Sequence, residues 1–307
     1  MNHLPTVLIC DQISESATGI LENNGLTVVD LSHDKIQLME RLSEADAVIV
    51  RSATKVSIEF LEKASNLKIV ARAGVGLDNV DLAECKKRDI QVVNSPEGPS
   101  KSVAELVLMM MLALSRKLME VDQGTKAGNW PKKTIGRELF GKTLGIIGSG
   151  AIGGTLAKYC IQLGMTVIAY DIIEYEELKT LEGFSFVPLD EVLSESDFIS
   201  IHVPLLNATR HMINQETINK MKNNCIVINA ARGGIIDEDA LFRGLESGKL
   251  GGAALDVFEE EPATSANKLF GLKNVIATAH IGAQTYEASE NNTKIVCEKL
   301  IEFFTSQ

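Results

Sequence analysis

The chain of 307 residues is short of positive charge. Its 30 Lys and Arg face 41 Asp and Glu, a formal net charge of −11. So acidic a protein is a poor match for DNA, RNA or an anionic membrane surface, which select basic partners. Paired cysteines are lacking as well. The five present (Cys10, Cys85, Cys160, Cys225 and Cys297) are scattered, odd in number and form no Cys-x-x-Cys pair. That pattern excludes a disulfide scaffold and a Cys-based zinc site, and it fits a reducing compartment. No metal site is expected. The opening residues, Met1-Asn2-His3-Leu4-Pro5, show no basic segment leading into an apolar one, so no secretory signal is expected. The longest apolar run, Leu106 to Leu114, is nine residues, about half of what spans a bilayer. Internal repeats and low-complexity segments are missing too. What remains is the composition of a soluble globular protein, 45% hydrophobic and 23% charged, with a length that suggests about two domains. A cytoplasmic location is the expectation.

Short β-branched apolar runs recur along the chain with helix-like segments between them. The first series is 6–10, 27–31, 47–50, 67–71 and 90–93. Hydrophobicity in these runs is nearly continuous rather than alternating, as in parallel strands buried on both faces. The segments 14–23 and 35–43 carry apolar residues at helical spacing, so a doubly wound α/β sheet is predicted. The pattern breaks at Asn94-Ser95-Pro96-Glu97-Gly98-Pro99-Ser100, where two prolines and a glycine interrupt any helix or central strand. A long helix is predicted over 101–119, apolar nearly all round and therefore buried at a domain junction or subunit interface. Residues 126–142 read as a loop. A second strand–helix series follows, with strands predicted at 144–147, 166–170, 198–203, 226–230, 253–257 and 275–279, then a last helix over 286–304.

Gly148-Ser149-Gly150-Ala151-Ile152-Gly153 forms a G-x-G-x-x-G string between a predicted strand and a predicted helix. Gly148 permits the tight turn, Gly150 lets the backbone approach a pyrophosphate, and Gly153 allows close packing of helix and strand. The helix N-terminus at Ala151 and Ile152 offers N–H groups and a positive dipole to the phosphates. Asp171 lies 21 residues after Gly150, where a carboxylate accepts hydrogen bonds from ribose hydroxyls and repels a 2′-phosphate. NAD is therefore expected rather than NADP. A second string, Gly136 to Thr143, matches the P-loop spacing G-x-x-x-x-G-K-T. A strand rather than a helix is predicted after it, the wrong order for binding phosphates.

Ligands of open α/β sheets bind at the carboxyl ends of the strands. Three polar groups stand at such ends: Arg232, the acidic run Glu259-Glu260-Glu261, and His280. Arginine grips a carboxylate bidentately and polarises the adjacent carbonyl. Histidine exchanges an alcohol proton near neutral pH, and a carboxylate beside it orients the ring and favours the imidazolium. His202, in Ile201-His202-Val203-Pro204, is the rival histidine, without a nearby carboxylate in the sequence.

Longer motifs cover essentially the whole chain: Val50-Arg51-Ser52-Ala53-Thr54-Lys55, Arg72-Ala73-Gly74-Val75-Gly76-Leu77-Asp78-Asn79-Val80-Asp81, Gly141 to Gly148, Ala231-Arg232-Gly233-Gly234-Ile235-Ile236-Asp237, Ala254-Leu255-Asp256-Val257-Phe258, Glu261-Pro262 and His280-Ile281-Gly282-Ala283. With these the chain resembles the D-isomer-specific 2-hydroxyacid dehydrogenases, in particular the branch acting on 3-phospho-D-glycerate. The resemblance implies two Rossmann-like or flavodoxin-like parallel-sheet domains with the active site in the cleft between them. Residues 1–98 with 284–307 would form a substrate-binding lid, and 99–283 the NAD-binding domain. It implies Arg232 as the substrate arginine, His280 as acid/base and Glu261 as its carboxylate partner. Asp256 would lie near the nicotinamide amide, with Val203, Ala230 and Gly282 at the cofactor. The backbone of Ala73 to Gly76, with Gly74, Val75 and Gly76, would hold the substrate carboxylate. Arg51, with Arg72 nearby and Lys132 or Lys133 from a partner subunit, would bind its phosphate. A homodimer, or a tetramer, is implied, without the C-terminal regulatory domains of longer relatives. Ala151 stands where relatives often carry a basic residue, and Val75 where Thr is common; both changes remove a phosphate contact to NAD.

The implied reaction is oxidation of 3-phospho-D-glycerate to 3-phosphohydroxypyruvate, the first step of phosphorylated serine biosynthesis. A hydroxypyruvate/glyoxylate or D-lactate type reductase is the rival within the family. An NADH-sensing corepressor-like scaffold is the rival of another class. A methyltransferase using the glycine loop leaves Arg232, Glu261 and His280 unexplained.

Overall fold

The computed structural model describes residues 4–306, so the reading of Met1-Asn2-His3 lies outside the described residues. The chain forms two compact units: one runs to Ser100 and resumes at Ala283, and the other is Lys101–Gly282.

The first unit is built on five parallel strands, β1 (Thr6–Ile9), β2 (Thr27–Asp30), β3 (Ala47–Val50), β4 (Ile69–Arg72) and β5 (Gln91–Asn94), in the order β2-β1-β3-β4-β5. Successive strand residues point to opposite faces, and each face has its own core. Leu8, Val48, Val50 and Val70 pack with Leu38, Phe60, Leu61 and Cys85 on one side. Val7, Ile9, Ile49 and Ala71 pack with Leu21 on the other. The helix Tyr286–Thr305 closes that second face with Val296, Cys297 and Leu300. Continuous apolar runs are therefore required, because no strand face in the middle of the sheet meets water.

The second unit holds seven parallel strands: β6 (Thr143–Ile147), β7 (Thr166–Tyr170), β8 (Phe184–Phe186), β9 (Phe198–Ile201), β10 (Cys225–Asn229), β11 (Leu250–Leu255) and β12 (Val275–Ala277). Their order is β12-β11-β10-β9-β6-β7-β8. The chain leaves β6 toward β7 and β8, then returns to add β9 on the other side of β6. That reversal is the topological switch point where ligands of such sheets bind.

Two departures from the sequence expectations have simple causes. β8 has no counterpart among the predicted strands: it is three residues long with a central serine, and it pairs only with β7 at the sheet edge. The helix predicted over 101–119 is two helices, Ser100–Ser115 and Leu118–Lys126. Lys117 breaks the run in the left-handed region at φ 50°, just after the apolar stretch gives way to Ser115-Arg116-Lys117. Residues 136–143 lead into β6 with no helix directly following, so the P-loop order is indeed absent there.

Candidate active site

At the end of β6 the chain turns through Gly148, whose φ is +96° and whose N–H donates to the Tyr170 carbonyl at 2.9 Å. A Cβ on Gly148 would stand 2.8 Å from the carbonyl carbon and oxygen of His202, and one on Gly153 would stand 2.1 Å from the Gly148 oxygen. The turn therefore closes only with hydrogens at both positions. Gly150 differs, since a Cβ there would meet only the Tyr175 hydroxyl at 3.9 Å. Open space lies above the start of the helix Ala151–Gln162, whose N-cap Gly150 supplies no side-chain cap. Asp171, after β7, takes the Ser149 N–H at 2.6 Å on one carboxylate oxygen and the Ile173 N–H at 3.1 Å on the other. The first oxygen also takes the Ser149 hydroxyl at 3.2 Å, and the second keeps lone-pair capacity for a further donor. Uncapped N–H groups over open space, with a half-buried carboxylate one strand away, fit a dinucleotide's phosphates and ribose.

Three loops leave the carboxyl ends of β10, β11 and β12. His280, at φ +55°, pairs through Nδ1 with Glu261 Oε2 at 2.8 Å. The other Glu261 oxygen accepts the Phe258 N–H at 3.0 Å, which fixes the carboxylate against its own loop. Glu259 points elsewhere: it takes the Glu238 N–H at 3.1 Å and lies 3.1 Å from His211 Nε2, while its own N–H donates to Glu238 at 2.7 Å. Of the acidic run, then, it is Glu261 that meets the imidazole. Arg232 is half-buried on a turn built by Asn229, which takes the Ala231 N–H at 3.0 Å and donates to the Arg232 carbonyl at 2.9 Å. The next residue, Gly233, lies so close to the acidic loop that an added Cβ would stand 1.7 Å from the Phe258 oxygen. The Arg232 turn is thereby pressed against the loop that carries Glu261.

Asp256 is 1% exposed, and its carboxylate is committed to the turn that carries His280. It accepts Thr278 Oγ1 at 2.5 Å and the N–H groups of Ile281 and Gly282, each at 2.8 Å, while its backbone oxygen takes the His280 N–H at 2.8 Å. These bonds hold a non-glycine residue in the left-handed region, a conformation that persists only where its surroundings impose it. Sequence reasoning places Asp256 at the cofactor and misses this function, together with Asn229, Gly233, Glu238 and Thr278. The signal is faint: polar residues directly at strand ends, where backbone pairing stops and side chains must take over.

The rival histidine occupies a different setting. His202 shares a 2.8 Å hydrogen bond between Nε2 and Ser200 Oγ, and its Nδ1 is buried without a partner among the described residues. Burial pushes its pKa down to about 4, so the ring is neutral. Val203 stands against the glycine turn, where a Cβ on Gly148 would come 2.9 Å from its Cγ1, and Ala230 follows β10 against the core. In the first unit, Arg51 follows β3 and Arg72 closes β4. The Arg72 guanidinium lies over Gly74, where a Cβ would come 1.6 Å from Nη1. Val75 accepts a 2.6 Å bond on its carbonyl from Asn94, and Val75 and Gly76 are both half-buried.

Residues 108–282 match the model of the D-isomer specific 2-hydroxyacid dehydrogenase NAD-binding domain. A hydroxypyruvate reductase from Thermotoga maritima is 46% identical over 96% of this chain and 97% of its own length. A D-3-phosphoglycerate dehydrogenase from Methanocaldococcus jannaschii is 44% identical over 96% of this chain, which spans 56% of that longer protein. Among solved structures, the D-lactate dehydrogenase of Aquifex aeolicus, complexed with NAD and lactic acid, superimposes with a TM-score of 0.84. It is 33% identical, covering 98% of this chain and 96% of that one. The chain belongs to the D-isomer-specific 2-hydroxyacid dehydrogenases, and its cofactor is NAD.

Two outcomes follow for the geometry alone. Gly153→Ala forces the helix off the turn and lowers stability by about 1–3 kcal/mol in urea denaturation. For His202, the folded chain resists a proton that the unfolded chain accepts from about pH 6.5 downward, so stability falls as pH drops toward 4. His202→Gln removes that dependence, seen as a smaller loss of urea midpoint between pH 7 and pH 5 than in the parent protein.

Proposed function

We propose that the protein oxidises 3-phospho-D-glycerate at C2, with Arg232, Glu261 and His280 as its catalytic set. The observation that carries the dehydrogenase reading is the 2.8 Å pairing of His280 with Glu261. Because Nδ1 is engaged by the carboxylate, Nε2 is the ring nitrogen left to take the substrate's hydroxyl proton. Glu261 stabilises the imidazolium that results, and its bond from Phe258 keeps it aimed. Arg232 grips the substrate carboxylate in a fork and polarises the C2 oxygen. Bound NAD supplies the hydride acceptor. The uncapped turn at Gly150, Ala151, Ile152 and Gly153 is assigned to its pyrophosphate and Asp171 to its ribose, with Gly148, Val203, Ala230, Asp256 and Gly282 in the surrounding wall.

Arg51 and Arg72, in the first unit, are assigned to substrate binding with the backbone of Gly74, Val75 and Gly76. They favour a phosphorylated acid in an otherwise acidic protein. The second reading, hydroxypyruvate or glyoxylate reduction, is supported by the end-to-end match to the Thermotoga relative. A scaffold role without catalysis predicts no turnover at all.

We also propose a homodimer formed through the groove lined by Leu108, Met109, Leu112, Leu118, Val121 and Pro131. Ile135 is 81% exposed and Trp130 73% exposed beside it, and large apolar side chains grouped at a surface mark protein contacts. All five cysteines are buried thiols, which suits a reducing, cytoplasmic setting. No helix among the described residues is long and apolar enough to cross a membrane.

NADH oxidation with phosphohydroxypyruvate, hydroxypyruvate, glyoxylate and pyruvate side by side decides between the substrates. Arg51→Ala raises KM for phosphohydroxypyruvate by about 10- to 100-fold, the worth of one charge-assisted contact, and leaves KM for hydroxypyruvate nearly unchanged; equal effects on both count against the phosphate assignment. His280→Asn lowers kcat by about 10²–10⁴-fold with NADH affinity retained, and unchanged turnover ends the acid/base assignment.

A further inference from the structure

Arg51 sits on a short loop between the end of β3 and the bridge that pairs Val56 with Val80. Side chains hold this loop from two sides, and they seize the same two residues. Asp11, 4% exposed at the end of β1, receives the Arg51 N–H at 2.7 Å and the Thr54 N–H at 3.0 Å on one oxygen. Its other oxygen receives Thr54 Oγ1 at 2.6 Å and Lys35 Nζ at 2.8 Å. Asn79 spends both amide hydrogens on the carbonyls of those residues, Arg51 at 2.7 Å and Thr54 at 2.6 Å. Lys35 ties the assembly together by also reaching Thr54 Oγ1 at 2.8 Å and the Cys10 carbonyl at 2.6 Å.

The guanidinium at the end of this rigid base is held far more loosely. Its contacts are the Gln12 carbonyl at 3.3 Å and Gln284 Oε1 at 3.5 Å, both long for hydrogen bonds. A fixed backbone with a lightly held cationic head is what an anion-gripping arginine needs. The ordering cost is met by the fold, and no strong internal bond must break when the ligand arrives. Burial pushes the Asp11 carboxyl up, yet the bonds from Lys35, from the Thr54 hydroxyl and from the two N–H groups more than offset this and hold it below the ordinary carboxylate range. It is therefore an anion throughout the working pH range, and Lys35 balances its charge, which limits any pull on Arg51.

We propose that Asp11, seconded by Asn79, is a positioning residue for substrate selectivity: it acts through the Arg51 loop and touches neither cofactor nor substrate. The inference rests on the assignment of Arg51 to the substrate phosphate. In Asp11→Asn one of the two acceptor oxygens becomes an NH2. On either side it meets donors that need an acceptor: the two N–H groups, or the Lys35 ammonium and the Thr54 hydroxyl. The four-donor grip is broken and the loop loosens.

The test is a double-mutant cycle on the full chain with NADH, comparing D11N, R51A and D11N/R51A. With phosphohydroxypyruvate, D11N is expected to raise KM about 10-fold, with kcat and the KM for hydroxypyruvate within about 2-fold of the parent. The double variant should match R51A, since residues acting through one another are not additive. Amide exchange of Arg51 and Thr54 in the free protein should also accelerate. If R51A is selective while D11N changes nothing, or adds its full effect to R51A, Asp11 is not acting through Arg51 and the proposal fails, with the reading of Arg51 intact. If R51A itself shows no selectivity, the phosphate assignment fails and the inference goes with it. Should D11N not fold, Asn79→Ala, which removes only the two donors to the loop carbonyls, takes its place in the same cycle: non-additivity with R51A supports the proposal, and no effect or full additivity overturns it.

Discussion

Parallel sheets end their strands in loops that no ladder supports, and the geometry of this site depends on the single buried carboxylate that supports one of them. Asp256 gathers a hydroxyl and two backbone N–H groups from residues 278–282 around itself. His280 takes its left-handed backbone from that grip, and from there its ring reaches Glu261. Charged acceptors bind N–H donors more strongly than neutral ones do, and a fully satisfied buried network is rigid. Asp11 uses the same device in the other unit. In both places a carboxylate at the end of a strand replaces the partner that the next strand would have given.

The architecture is legible in the sequence because the solvent dictates it. Strands buried on both faces must be apolar throughout, so ten of the eleven predicted runs lie within two residues of the observed strands at both ends; the 253–257 run falls three residues late in starting, because Gly251 and Gly252 mask the beginning of β11. The glycine turn is legible for a similar reason, since only hydrogen fits where backbone meets backbone. β8 escapes notice because three residues with a serine between two phenylalanines make no recognisable run. The division of the long helix escapes notice because nothing in the pattern announces a left-handed lysine. Of the candidate site, the reacting side chains can be picked out by chemical type and position. The residues that aim them cannot: Asn229, Glu238 and Asp256 act through their neighbours' backbones and Thr278 through the Asp256 carboxylate, and a sequence gives no sign of which N–H a carboxylate will find.

The groups assigned to the cofactor and those assigned to the substrate's distal end lie in different parts of the chain. The residues assigned to NAD lie in the seven-stranded sheet, around its switch point between β6 and β9, where ligands of such sheets bind. The groups assigned to the substrate's distal end lie on loops of the five-stranded sheet. Loops change more freely than the strands they join. Relatives named for acids as different as lactate and hydroxypyruvate fit that division.

The contact at Gly233 makes two neighbouring loops mechanically one piece. With the Phe258 carbonyl occupying the space where any side chain would begin, the segment bearing the guanidinium has no clearance to slide past the segment bearing the acid. Thermal motion of one is handed directly to the other. Such a joint resists gradual loosening: the arginine and the acidic loop stay in register up to the point where the packing gives way, and then both lose their aim together.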